Sequence, residues 1–171
     1  MPTPFESAEL NLKLFDLRRE PVLRDARAWF LSHFNPQTFE EFSILASGER
    51  NASVRMVLGY WDMAASLVTF GAIDAEMFRA AHTEIVATFA KVEPFVAEIR
   101  RVSGITEFLS HLEAVVRGMP GSEERLATLR KGFRTMAEAQ RAAEKQAVRP
   151  RHTSGGRNQP RRRRLGRVRS I

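Results

Sequence analysis

Cysteine is absent from the chain. Disulfide frameworks and thiolate metal sites are therefore excluded, nothing marks an oxidising compartment, and a cytoplasmic protein is the expectation. Long apolar runs are scarce too. The best candidate for a membrane span, Met56 to Ile73, contains Asp62, which would cost roughly 2.5 to 3.5 kcal/mol near a bilayer centre, so no transmembrane segment is expected. The first twenty residues carry Glu6, Glu9 and Asp16 without an unbroken apolar stretch, unlike a secretory signal. There is no Gly-x-Ser-x-Gly elbow and no His-Glu-x-x-His pair, and the one glycine-rich stretch, Ser154-Gly155-Gly156, does not sit between a strand and a helix. The histidines at 33, 82, 111 and 152 are scattered, with no second ligand at i+3 or i+4. No catalytic residue, metal or cofactor is therefore expected, and the balance falls against an enzyme.

What is present divides sharply at residue 148. The 171 residues, 43% of them apolar, suit one domain with an appendage. Of the 27 lysines and arginines behind the net charge of +7, nine are arginines between Arg149 and Ile171, where no acid occurs. The other 18 face all 20 acids, so residues 1–148 carry −2 and residues 149–171 carry +9. The latter segment is made of Gly, Ser, Asn, Pro and Arg with few large apolar side chains. It cannot offset the entropy of ordering and is expected to be disordered alone.

Residues 1–148 read as an all-α bundle of six to seven helices. Thr3-Pro4-Phe5-Glu6 is a capping box with proline in the first turn, opening a helix to about Arg18 with Leu10, Leu14 and Leu17 on one face. Pro21 starts a second helix to about His33, expected to bury Val22, Leu23, Ala26, Trp29, Phe30 and Phe34. Thr38 and Glu41 form another capping box before a short helix ending near Gly48. Apolar residues on nearly every side of Glu49 to Phe70 mark a central helix. Asp74 caps the next, which carries Met77, Phe78, Ala81, Ile85 and Phe89, and Glu93-Pro94 kinks or restarts it before Gly104. A helix over Ile105 to Met119 follows. The last begins at Ser122, with Leu126, Leu129, Phe133 and Met136 in a heptad seam that fades toward Ala147; its first half should dock, and its second half should be weakly held or pair with a second copy. Methionines 56, 63, 77 and 136 fall at core-like positions.

Two places could carry function. Arg149, Arg151, Arg157, Arg161, Arg162, Arg163, Arg164, Arg167 and Arg169 form a polycation whose planar guanidinium forks suit phosphate oxygens. With no Phe, Tyr or Trp among them to stack on bases, they are expected to hold a nucleic-acid backbone without reading its sequence. A merely solubilising terminus and an anionic membrane surface are the competing readings. The second place is the central helix, where Arg55 and Asp62 share a face with Tyr60 and Trp61 adjacent. They would line a small-molecule pocket or, more plainly, form a charged rim bridged to another helix.

Tyr60-Trp61-Asp62-Met63 through Gly71-Ala72-Ile73-Asp74, followed by Val92-Glu93-Pro94-Phe95 and Ile99-Arg100-Arg101, resembles a family of uncharacterised bacterial helical domains of unknown function over residues 20–103. The resemblance implies a helical body and adds no catalytic residue. Members of that family often carry an N-terminal membrane anchor, for which the opening residues here show no apolar run.

Overall fold

Helix boundaries follow the punctuation of the chain closely. The computed structural model describes residues 2–148, and among these there are eight α-helices and no strand. α1 (Pro4–Arg19) begins at the predicted capping box: the Thr3 hydroxyl accepts from Glu6 N–H, and the Glu6 carboxylate accepts from Thr3 N–H at 2.8 Å. α2 (Pro21–His33) starts on proline, with the Glu20 carboxylate capping Leu23 N–H. α3 (Phe39–Ser47) has Thr38 as N-cap, but Glu41 reaches past it to Gln37 N–H, so only half of the reciprocal box forms.

α4 (Asn51–Thr69) is the axis of the bundle and packs against α2, α3 and α7. Val54, Val57, Leu58, Tyr60, Trp61, Ala64 and Ala65 are buried. It is not enclosed on every side, however: Arg55, Met56, Gly59 and Met63 lie along an exposed face. Gly71, at φ 74°, lets the chain reverse after α4, with Ala72 and Ile73 N–H both turned back to Leu67 O.

The count of eight, against six or seven, comes from a break that the sequence did not mark. α5 (Ala75–Ala81) stops at His82, whose ring is buried, and α6 (Glu84–Ser103) starts afresh two residues later. Pro94 neither restarts nor ends α6; the helix continues past it to Gly104 at φ 72°. α7 (Ser110–Arg117) is shorter than expected because Leu109 sits in the left-handed region at φ 55° and residues 105–109 form turns. The Arg100 guanidinium holds those turns through two bonds to Phe108 O, at 3.0 and 2.8 Å.

α8 (Ser122–Val148) does not use Ser122 as a cap; its hydroxyl donates to Arg117 O, and Gly121 O receives the first helical bond from Arg125. Its seam also drifts. Leu126 is buried and Leu129 and Phe133 are partly so, yet Met136 is exposed and Ala137 is buried in its place. A straight helix turns about 20° per heptad away from a strict seven-residue repeat, which moves contact from Met136 to Ala137. The second half is accordingly docked up to residue 141: Gln140 donates to Ser32 O at 2.8 Å, and Arg141 bonds Glu41 at 2.6 Å.

The buried face of α1 is another correction. Leu17 and Val22 are exposed, Trp29 is only partly covered, and Met56, Met63 and Met136 are not core residues. α1 instead buries Ser7 and Asn11 beside Leu14. The Asn11 amide donates to Ser7 O at 2.9 Å and its carbonyl meets His82 Nε2 at 2.9 Å, while the Ser7 hydroxyl accepts from Asp74 N–H. This polar seam ties α1 to α5.

Candidate functional site

The 100° turn per residue of a helix separates the four residues singled out on α4 into two groups. Arg55 and Asp62, seven residues apart, share a face with Gly59 between them. That face borders a cavity of about 500 Å³ walled by Phe42, Val54, Leu58, Ile99, Phe108 and Leu109. Two local features shape it: Gly59 contributes no side chain, and residues 105–109, which leave the helical path, supply part of its wall. Tyr60 and Trp61 do not join this cavity. They point to the other side of α4, into the core against α1 and α5.

Three of the four have a legible role. The Asp62 carboxylate accepts from Leu112 N–H at 2.9 Å, capping α7 from a neighbouring helix where Leu109 offers no side-chain cap. The bridge to a second helix, anticipated as the plainer reading, is therefore present. Arg55 is exposed at the cavity edge and has no ion-pair partner among the described residues. The Tyr60 hydroxyl donates to Leu14 O at 2.8 Å, and its burial pushes the phenol up to about 12. Trp61 is fully buried, edge-on to Tyr60 and to the His82 ring.

His82 shows what burial does to a titrating side chain. Because its Nε2 faces the Asn11 carbonyl, Nε2 carries the proton and Nδ1 is left as an acceptor without a partner among the described residues. Burial first, and the nearby Arg18 charge second, lower its pKa to about 4, so the ring is neutral in the folded protein.

Lys91 is the residue that sequence reasoning missed. It lies within the apolar stripe of α6 and is 4% exposed. Its ammonium donates to Phe34 O at 3.0 Å and to the Asn35 side-chain carbonyl, and it stands 4.1 Å from the centre of the Phe133 ring. The sequence signal was faint: one lysine between Ala90 and Val92, where the period demands an inward side chain.

Elsewhere, half of the fourteen arginines among the described residues pair with internal carboxylates. Arg27 pairs with Glu84 across α2 and α6, Arg100 with Glu113, and Arg117 with Glu93, Glu113 and Glu123, while Glu93 also holds Arg130. No group of three or more metal-ligating side chains occurs among the described residues, and none of their helices is long and apolar enough to cross a membrane. The arginines from Arg149 to Arg169 and His152 lie outside the described residues.

A family model described as a domain of unknown function, DUF4760, matches residues 4–119. No curated protein and no solved structure matches the chain.

Proposed function

The chain belongs to this family of domains of unknown function, DUF4760, and from that premise we propose that it is a non-catalytic helical interaction module whose arginine-rich segment holds a polyanion, in the first place nucleic acid, without sequence specificity. One observation carries the proposal: the partition of charge, −2 over residues 1–148 against +9 over residues 149–171. Within the helical body, carboxylates are at hand and engage half of the described arginines, Arg27, Arg100, Arg117 and Arg130 among them. Residues 149–171 contain no acid with which to do the same. Their forks are supplied for phosphates, and counterion release would drive association. The proposal places the module in the cytoplasm and leaves α8 as the surface for a second copy.

Binding of the full chain to duplex DNA, RNA and acidic vesicles at two salt concentrations tests it, beside a chain with Arg161, Arg162, Arg163 and Arg164 changed to glutamine. Salt-sensitive retention on nucleic acid that falls in the variant supports the proposal. Equal retention by the two chains overturns it, and retention on acidic vesicles alone would make the chain a peripheral membrane adaptor.

The second reading rests on the cavity of about 500 Å³ at Arg55, Gly59 and Asp62. Its size and apolar walls suit a small organic ligand, with Arg55 at the edge for an anionic group. A Gly59→Leu chain, filling the space from within, should lose such a ligand and keep its fold.

A further inference from the structure

A second, smaller cavity of about 150 Å³ lies where the turn after α2 meets α6 and α8. Its lining contains three cations, Lys91, Arg130 and Arg134, and no acidic residue. We propose that this cavity is a binding site for a single oxyanion, a phosphate or carboxylate group, held by Lys91 from inside and Arg134 from the rim.

The argument begins with the cost of burying an ammonium. A charge removed from water is expensive unless it is paired, and Lys91, 4% exposed, meets only neutral acceptors and an aromatic face. Nearby carboxylates are otherwise engaged. Glu93 on α6 holds Arg117 and Arg130, Glu41 on α3 holds Arg141 and Gln37 N–H, and neither forms an ion pair with Lys91 among the described residues. Two of the three ammonium hydrogens have oxygen acceptors, at Phe34 and Asn35; the third has only the face of the Phe133 ring nearby, a weaker partner than an anion.

Capping the end of α2 accounts for the bond from Lys91 to Phe34 O. It does not account for Arg134, which is exposed, borders the same cavity and has no carboxylate partner among the described residues. With Arg130 already paired to Glu93, the charges left without a carboxylate on the cavity wall are Lys91 and Arg134, both positive, and an anion is their complement. The volume sets the size: one tetrahedral or planar oxyanion group fits, while the remainder of a larger ligand would stay outside. The site is independent of residues 149–171, and its success or failure leaves the polyanion proposal untouched.

The Lys91 ammonium is its own reporter. Desolvation lowers its pKa to about 8, and an anion in contact with it would raise the value. Side-chain NMR of the full chain would follow the Lys91 titration midpoint with and without inorganic phosphate and, separately, acetate. The expected result is a saturable rise of about one unit or more. In an Arg134→Gln chain of unchanged melting temperature, the anion concentration needed should be about tenfold higher. The rise should persist in a chain with Arg161, Arg162, Arg163 and Arg164 changed to glutamine, which separates it from phosphate held by those arginines. A response to phosphate alone assigns the site to phosphate groups, and a response to both anions assigns it to oxyanions in general. A midpoint moved by neither anion, or moved equally well in the Arg134→Gln chain, overturns the proposal.

Discussion

Gly59 and His82 show how far a single residue can be reasoned about. Gly59 is inside a helix with ordinary helical neighbours, and a β-carbon placed there meets nothing within 4 Å. Glycine costs about 0.5 to 1 kcal/mol relative to alanine in a helix interior, so Gly59→Ala should raise stability by about that amount in urea unfolding. If the cavity beside it takes a ligand, the gain in stability should come with weaker binding. His82 makes a prediction about acid. Its folded pKa of about 4 lies below the ordinary 6.5, so the unfolded chain binds a proton more readily than the folded one. Stability is therefore full above pH 6.5, falls as the pH drops, and has lost this contribution below pH 4. The loss should be roughly 3 kcal/mol. Urea midpoints measured from pH 7 to pH 5 should fall, and the slope should flatten in a His82→Gln chain. A wild-type slope no steeper than that of the variant would show that the ring is protonated without cost.

At the scale of elements, α7 illustrates a helix held by its neighbours. Its first turn has a left-handed leucine where a polar cap would be expected, and an aspartate from α4 supplies the missing acceptor. Losing a cap of this kind costs about 1 kcal/mol. Asp62→Ala should lower stability by about that amount and loosen residues 105–112 in amide exchange, whereas Asp62→Asn, which keeps an acceptor oxygen, should behave close to wild type. Equal damage from both changes would point to the charge of Asp62, and so to a ligand or cation at the cavity, instead of to the cap. The segment over Ile105 to Leu109 could not have been read correctly from its own residues. Its apolar spacing is helical, and what bends it away is Arg100, reaching from α6 to Phe108 O. The break at His82 is of the same kind, since that ring is drawn inward by Asn11, 71 positions earlier.

For the whole molecule, the decisive quantity is the placement of charge. If residues 149–171 grip a phosphate backbone, the logarithm of affinity for duplex DNA should fall linearly with the logarithm of salt, with a slope near 0.9 per phosphate engaged. Replacing Arg161, Arg162, Arg163 and Arg164 by glutamine should reduce that slope by up to about 3.6, with no change in the unfolding midpoint of the bundle. A lowered midpoint would mean that those arginines hold the body together instead.

The all-α class, the positions of α1, α2, α3 and α4, and the resemblance to a family of helical domains were legible because they rest on local chemistry. Caps, prolines and a 3.6-residue apolar period act within a few residues and leave their mark in the order of the chain. The two cavities, the polar seam through Ser7, Asn11 and His82, and the isolated ammonium of Lys91 were not legible, because each is created by groups distant along the chain. Arg55 and Asp62 were correctly placed on one face by helical spacing, but whether that face met a neighbour or a hollow depended on where residues 105–109 were carried. The order of residues along the chain was enough to determine that residues 1–148 form a helical body and that the positive charge is gathered at one end. Only the packing of α6 against the end of α2 and the middle of α8 decided that a lysine would be shut away from water beside two arginines, since burial depends on what other segments cover and not on a residue's own neighbours in sequence.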